Sequence, residues 1–222
     1  MWRDATLVAG RDLRIEARSR VTLHQVAPFA LLVLLLFGFA LDPDRGVLER
    51  ATPGLYWVTV LFSALLALAR SAKLEEADGV RDALRLSALE PAGVFVGKTL
   101  AVAAELAALE VLLGIGVVIL YGADPAEIGL LLTTCLAATV AVATTGTLYG
   151  ALVSGLRVRE TLLPLLLLPV LAPVLIGATR AFEAALAGTP ADGWPWCGLL
   201  AVFAVLYSVA GALAYGTLLE GS

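Results

Sequence analysis

Residues 128–156 read IGLLLTTCLAATVAVATTGTLYGALVSGL, twenty-nine positions with neither a charge nor a proline. A helix at the surface of a soluble protein needs a polar face, and this run has none. About 20 mostly apolar residues suffice to cross a bilayer. Four further charge-free runs share the character, at 21–41, 51–69, 161–179 and 193–219. A sixth stretch, 97–121, is equally apolar although it carries Lys98, Glu105 and Glu110. None alternates with the period of two that a membrane barrel requires. The expected fold is therefore an all-α integral membrane protein, a single transmembrane domain over residues 1–222. Its six spans are expected at about 21–41, 51–70, 97–121, 128–153, 161–179 and 196–219.

Composition agrees. Hydrophobic residues make up 60% of the 222 and charged residues 15%, where a soluble domain has about 45–50% and about 25%. The mean hydropathy is +0.92. A net charge of −4 excludes a basic nucleic-acid binder. Cys135 and Cys197 are too few for a disulfide framework and lack metal-ligand spacing. Cys135 is expected in mid-membrane and Cys197 near the outer surface, which argues against a bridge.

Orientation follows from lysine and arginine. Arg3, Arg11, Arg14, Arg18 and Arg20 precede the first span. Arg70, Lys73, Arg81, Arg85 and Lys98 surround the second connection, and Arg157 and Arg159 lie in the fourth. The opposite side has only Arg45, Arg50 and Arg180, among several carboxylates. Both termini are accordingly expected in the cytoplasm. Tyr56, Trp57, Tyr121, Trp194 and Trp196 fall near predicted outer ends, and Tyr149 and Tyr215 near inner ends, as an aromatic belt would place them. The first span ends Gly38-Phe39-Ala40, which resembles a signal-peptide cleavage site. The preceding segment is too long and carries Asp4, Asp12 and Glu16, so the run is read as a true span.

Two segments outside the spans carry helical patterns. In residues 2–19, Trp2, Thr6, Ala9, Leu13 and Ala17 share one stripe, with Arg3, Arg11, Arg14 and Arg18 on another face. That pattern predicts an amphipathic helix in the cytoplasmic interface. The second connection reads RSAKLEEADGVRDALRLSALEPAGVFVGK, dense in both charge signs. Leu74, Ala77, Val80, Leu84 and Ala88 recur at three- or four-residue intervals, predicting a short helix over 73–90 that Pro91 ends. A small two-signed helix projecting from a membrane domain suits docking in a groove of a soluble partner. Within this stretch, residues 92–99 fit a relaxed phosphate-loop pattern. Its context is wrong: no strand precedes it, its middle is Val-Phe-Val, and the next residues enter lipid. Lys98 is read instead as an interfacial anchor.

The remaining anomalies are polar groups and prolines at membrane depth. Glu105 and Glu110 differ by about 140° around the third span, so they form no paired-carboxylate site. Either can line a pathway, pair with a partner subunit or sit protonated against neighbouring threonines; structural or subunit contacts are favoured over substrate chemistry. Pro164, Pro169 and Pro173 predict a kinked fifth span, followed by a short re-entrant or surface helix at 180–188 on the outer side. Gly146 and Gly150, four apart among threonines, predict a small-residue packing face on the fourth span. His24, the only histidine, is read as solvated rather than as a haem ligand. No residue set resembles a catalytic triad, metal cluster or cofactor site, so no catalytic, cofactor-binding or metal-binding residue is assigned.

Three stretches together resemble one family. They are Thr52-Pro53-Gly54-Leu55-Tyr56-Trp57 running on to Arg70, the acidic loop with Glu75, Asp78, Gly79, Pro91 and Lys98, and Leu163-Pro164 through Leu168-Pro169 to Pro173-Val174-Leu175-Ile176. The chain resembles the haem exporter protein B family, the CcmB-type membrane subunit of cytochrome c maturation. Glu90-Pro91, in place of a more proline-rich loop end, departs from that pattern, as do Glu105 and Glu110. The resemblance implies an ABC-2-like exporter permease in a bacterial inner membrane, multi-pass and without an ATPase site. Its implied partners are a cytoplasmic ABC ATPase (CcmA-type), a haem-handling membrane protein (CcmC-type), a small membrane subunit (CcmD-type), membrane lipid and a second copy of itself. It implies that residues 73–90 are the coupling helix, with Glu75, Glu76, Asp78, Gly79, Arg81, Leu84 and Arg85 facing the ATPase. It implies no cofactor held by this chain, haem being handled by the complex. The task would be haem export or release of the haem-loaded periplasmic chaperone. The alternatives are an ABC-2-type exporter of another lipid or small molecule, and a non-transporting scaffold for the ATPase.

Overall fold

The structure, a computed structural model, describes residues 1–19, 22–41, 45–77, 89–153 and 159–220. Every regular element among them is helical. In chain order they are α1 (Trp2–Ser19), a π-helical turn (Thr22–Val26) leading into α2 (Ala27–Leu41), α3 (Arg45–Ala77), α4 (Pro91–Tyr121), α5 (Ile128–Val153), α6 (Arg159–Ala187) and α7 (Pro190–Glu220). Six of them are long and apolar enough to cross a membrane: His24–Leu41, Gly46–Ala69, Pro91–Tyr121, Ile128–Val153, Thr161–Ala187 and Pro190–Leu218. The protein is a multi-pass membrane protein.

The bundle is built around α3. Of its spanning stretch 67% is buried, against 22% for α2 and for α7. One apolar core runs through all six spans, with Leu34, Trp57, Leu106, Leu113, Leu167 and Leu200 among its fully enclosed side chains. The outward surface stays apolar, as lipid requires: Phe39, Ile119, Leu136, Leu165 and Leu213 are all exposed.

Several helices overrun the expected spans: α3 covers Arg45–Ala77 where 51–70 was expected, and α7 begins at Pro190 where 196 was expected. Two further ends have a visible local cause. α4 begins at Pro91, six residues before the expected start, because proline at the first helical position forfeits a donor that has no partner there. Residues 180–187 continue α6 instead of forming a separate short helix. On that last stretch Arg180 and Glu183 pair at 3.0 Å on the exposed side, while Ala181, Phe182, Ala184 and Ala185 are buried on the other. The amphipathic pattern sustains the helix past the apolar run. Gly188 then adopts a left-handed φ of 69°, and the Thr189 amide donates to the Ala184 carbonyl at 3.0 Å, closing the helix as in a Schellman motif. Pro164, Pro169 and Pro173 all lie inside α6, which remains continuous helix.

The aromatic belt is corrected. Tyr56 and Trp57 are 2% and 1% exposed and belong to the core. The Tyr121 hydroxyl donates to the Leu34 carbonyl at 2.8 Å, tying α4 to α2. Tyr215 is buried against Phe95, with ring centroids 5.5 Å apart. Trp194 alone among the predicted outer-end tryptophans and tyrosines is exposed. The Tyr56 and Tyr121 hydroxyls each find a backbone carbonyl, whereas the Trp57 indole nitrogen is buried without one, so close packing of the rings decides where they sit.

Candidate functional site

Two places on the bundle hold groups that its packing alone does not explain. The first is the end that carries α1. There α1 lies on the start of α4, and glycines set the distance between them. A Cβ on Gly93 would stand 2.9 Å from the Met1 carbonyl oxygen, and one on Gly97 would stand 2.6 Å from that of Ala5 and 2.7 Å from Val8 Cβ. The two helices therefore run in the same sense along this contact, nearly backbone to backbone. Asp4 Oδ2 accepts from the Glu90 amide at 3.4 Å, just before α4 begins. The Met1 ammonium pairs with Glu90 at 2.8 Å and with Asp4 at 3.3 Å, and the hydrogen bond to Glu90 holds it above the usual range for an α-amino group.

This arrangement resolves the phosphate-loop pattern. Gly93 and Gly97 lie in the first turns of α4, and their missing side chains admit α1 rather than a phosphate. Lys98 is 7% exposed and packed among the helices at this end of the bundle. The face of α1 buried against the bundle is Ala5, Val8 and Ala9, while Trp2 and Leu13 of the apolar stripe are exposed. Met1 and Asp4 lie against Gly93, and Ala5 and Val8 against Gly97. Val8 joins Val94, Phe95, Leu148 and Tyr215 in a separate cluster, so the α1–α4 joint is continuous with apolar residues of α5 and α7.

The expected partner-docking residues fall at the end of α3 and between α3 and α4 in the chain. Glu75 and Glu76 fall in the last turn of α3. Asp78, Gly79, Arg81, Leu84 and Arg85 lie outside the described residues, as does most of the expected helix over 73–90. The segment thus leaves from the most enclosed span and returns into the helix that α1 grips.

The second place is at membrane depth between α3, α4, α5 and α6. Glu110 is buried, and its Oε1 accepts from the Thr139 hydroxyl at 2.6 Å. The Tyr56 hydroxyl donates to the Glu110 carbonyl at 3.0 Å and lies 4.0 Å from Cys135 Sγ. Tyr56 stacks on Phe182, with centroids 4.7 Å apart and planes at 28°, and meets Trp57 edge-on at 5.3 Å. A cavity of about 450 Å³ opens beside these groups, lined by Glu110, Gly114, Cys135, Thr139 and Phe182 and by exposed residues of α4 and α5. It shares Ala123 and Leu186 with a second cavity, of about 460 Å³, which is walled by Glu49, Arg50, Asp124 and Glu183 at the end opposite α1.

Of the two carboxylates singled out from sequence, Glu110 thus meets a threonine of the neighbouring span, and Glu105 is half-buried elsewhere on α4. They form no joint site. Sequence reasoning did not find Tyr56, Phe182 and Cys135 as members of the Glu110 site, because their convergence depends on how three helices pack. The Thr134 hydroxyl lies 3.2 Å from Cys197 Sγ, so the two cysteines stand closer along the bundle than expected, and both are free thiols. In α5, Gly146 packs against Leu68 of α3, whereas Gly150 has open space about it, so only half of the expected small-residue pair makes a close contact. His24 is exposed in the π-helical turn. Among the described residues no group of three metal-ligating side chains converges.

Residues 3–220 match the family model described as CcmB protein. The chain is similar to proteins named heme exporter protein B. It is 31% identical to that of Bradyrhizobium diazoefficiens over 215 residues, covering 93% of this chain and 95% of the relative. With the Pseudomonas aeruginosa protein it shares 31% identity over 188 residues, 85% and 84% of the two chains. With that of Paracoccus denitrificans it shares 34% over 182 residues, 80% and 82%.

Proposed function

The chain belongs to the CcmB protein family, and on that premise we propose that it is the membrane component of a haem export system serving cytochrome c maturation. In this reading it hydrolyses no ATP. A cytoplasmic ABC ATPase supplies the work, and a haem-handling membrane protein and a small membrane subunit complete the complex in a bacterial inner membrane. Both termini face the cytoplasm. The output is haem delivered outward, or release of a haem-loaded periplasmic chaperone.

One structural observation supports mechanical coupling: the charged segment after α3 re-enters the bundle at Pro91, directly beneath the α1 joint on Gly93 and Gly97. A push on that segment loads α3, the most enclosed span, and α4 with α1 attached. Packed helices answer such a load by rigid shifts rather than by bending continuously. Glu75, Glu76, Asp78, Gly79, Arg81, Leu84 and Arg85 receive the push, and the bundle converts it into a rearrangement around α3.

The functional reading is tested in cells lacking this chain. Covalently haem-bearing c-type cytochromes, detected by their peroxidase activity after denaturing electrophoresis, should disappear and return with the wild-type gene. Undiminished c-type cytochromes in the deletion strain would leave an exporter of another lipid or small molecule as the better reading. A scaffold that only recruits the ATPase would predict that the purified complex hydrolyses ATP no faster than the ATPase alone.

A further inference from the structure

We propose that the trough between α4 and α5 seats a transmembrane helix of another subunit, and that this helix presents a basic side chain to Glu110. The trough has a helix-sized form. From Ala107 to Ile119 it extends about 18 Å along α4, at 1.5 Å per residue. Its walls are lipid-facing aliphatic residues: Val111, Ile115 and Val118 on α4, Leu132 and Leu136 on α5. Gly114 lies on the α4 side of the trough with no atom within 4 Å of where its Cβ would stand. An open glycine flanked by β-branched residues is how membrane helices admit a neighbouring backbone at close range.

Charge complementarity chooses the occupant. Glu110 lines the trough, and the one bond described for its carboxyl is from Thr139; among the described residues no basic group pairs with it. A carboxyl at membrane depth is costly without such a partner. An acyl chain fills the trough but brings nothing to the carboxyl. A second copy of this chain offers exposed apolar residues along its spans, and its three lysines and arginines within the described spanning stretches are Arg50 and Arg180 near the far end and the buried Lys98. A helix of a different subunit with one lysine or arginine in mid-span meets both requirements. This inference holds whether or not the cargo is haem.

The test uses the full chain in phosphatidylcholine–phosphatidylglycerol vesicles, donor-labelled on a C-terminal tag. The probes are acceptor-labelled synthetic peptides of one leucine–alanine host sequence, with a central Lys, Leu or Glu. Energy transfer should report the lysine peptide binding about tenfold tighter than the leucine peptide, the scale of one interhelical polar contact in a bilayer. Glu110→Gln should abolish that advantage, and the glutamate peptide should show none with either protein. Cys135, which lines the trough, should alkylate several-fold more slowly when the lysine peptide is bound. Gly114→Leu should block all three peptides while circular dichroism reports an unchanged helical content. The proposal is overturned if lysine and leucine peptides bind equally, if the advantage survives Glu110→Gln, or if transfer occurs only between labelled copies of the chain.

Discussion

Glu110 shows how one residue can be both legible and incomplete in a sequence. Its depth marks it at once, since ionisable groups in hydrocarbon are rare and costly. That its oxygen meets Thr139 at 2.6 Å is a fact of two helices at one register, which no spacing along α4 encodes. Thr139→Val removes the donor and keeps the shape, so we expect a loss of about 1–2 kcal/mol in detergent unfolding. Thr133→Val, which removes an exposed hydroxyl bonded only to the Gly129 carbonyl of its own helix, should cost nothing measurable. Phe182 makes the larger contribution, stacked on Tyr56 and edge-on to Trp57. Phe182→Ala should cost about 3–5 kcal/mol, the usual range for a buried aromatic, read as a lowered thermal midpoint. Equal midpoints for the Thr139 and Thr133 variants would show that the carboxyl bond contributes no stability.

At the scale of elements, the six spans were readable because each is a long run without charge, and lipid imposes that rule on every turn. Their ends were less readable. Charge marks where a helix leaves hydrocarbon, not where it stops, so α4 begins six residues earlier than its apolar run and α6 continues to Ala187. For α1, periodicity identifies an apolar stripe, whereas the glycines of another helix decide which residues are buried against the bundle. Gly97→Leu should therefore push α1 off α4. We expect a cost of about 1–3 kcal/mol, as for other overpacked sites, together with new protease cleavage within residues 2–19 and no loss of spanning helix. Gly10→Ala has nothing within 4 Å of the added carbon and should stabilise α1 by up to about 1 kcal/mol through helix propensity. If both variants left α1 equally protected, the joint would not depend on close approach.

For the whole molecule, the resemblance seen in three short stretches extends to a family match over residues 3–220, and the fold it implied agrees in span number and helix content. The segment proposed for coupling is a charged interruption between apolar runs; what it touches is a property of the assembled complex. In the function proposed above, this bundle is driven from that segment by a partner's ATP hydrolysis. The direct measurement is the ATPase rate of the purified partner ATPase in liposomes, alone, with the wild-type chain, and with Glu75→Lys/Glu76→Lys or Arg81→Glu. The wild-type chain should raise the rate severalfold and the charge-reversed chains should not, although they fold and co-purify as membrane proteins. Full stimulation by the reversed chains, or none by the wild type, would contradict it.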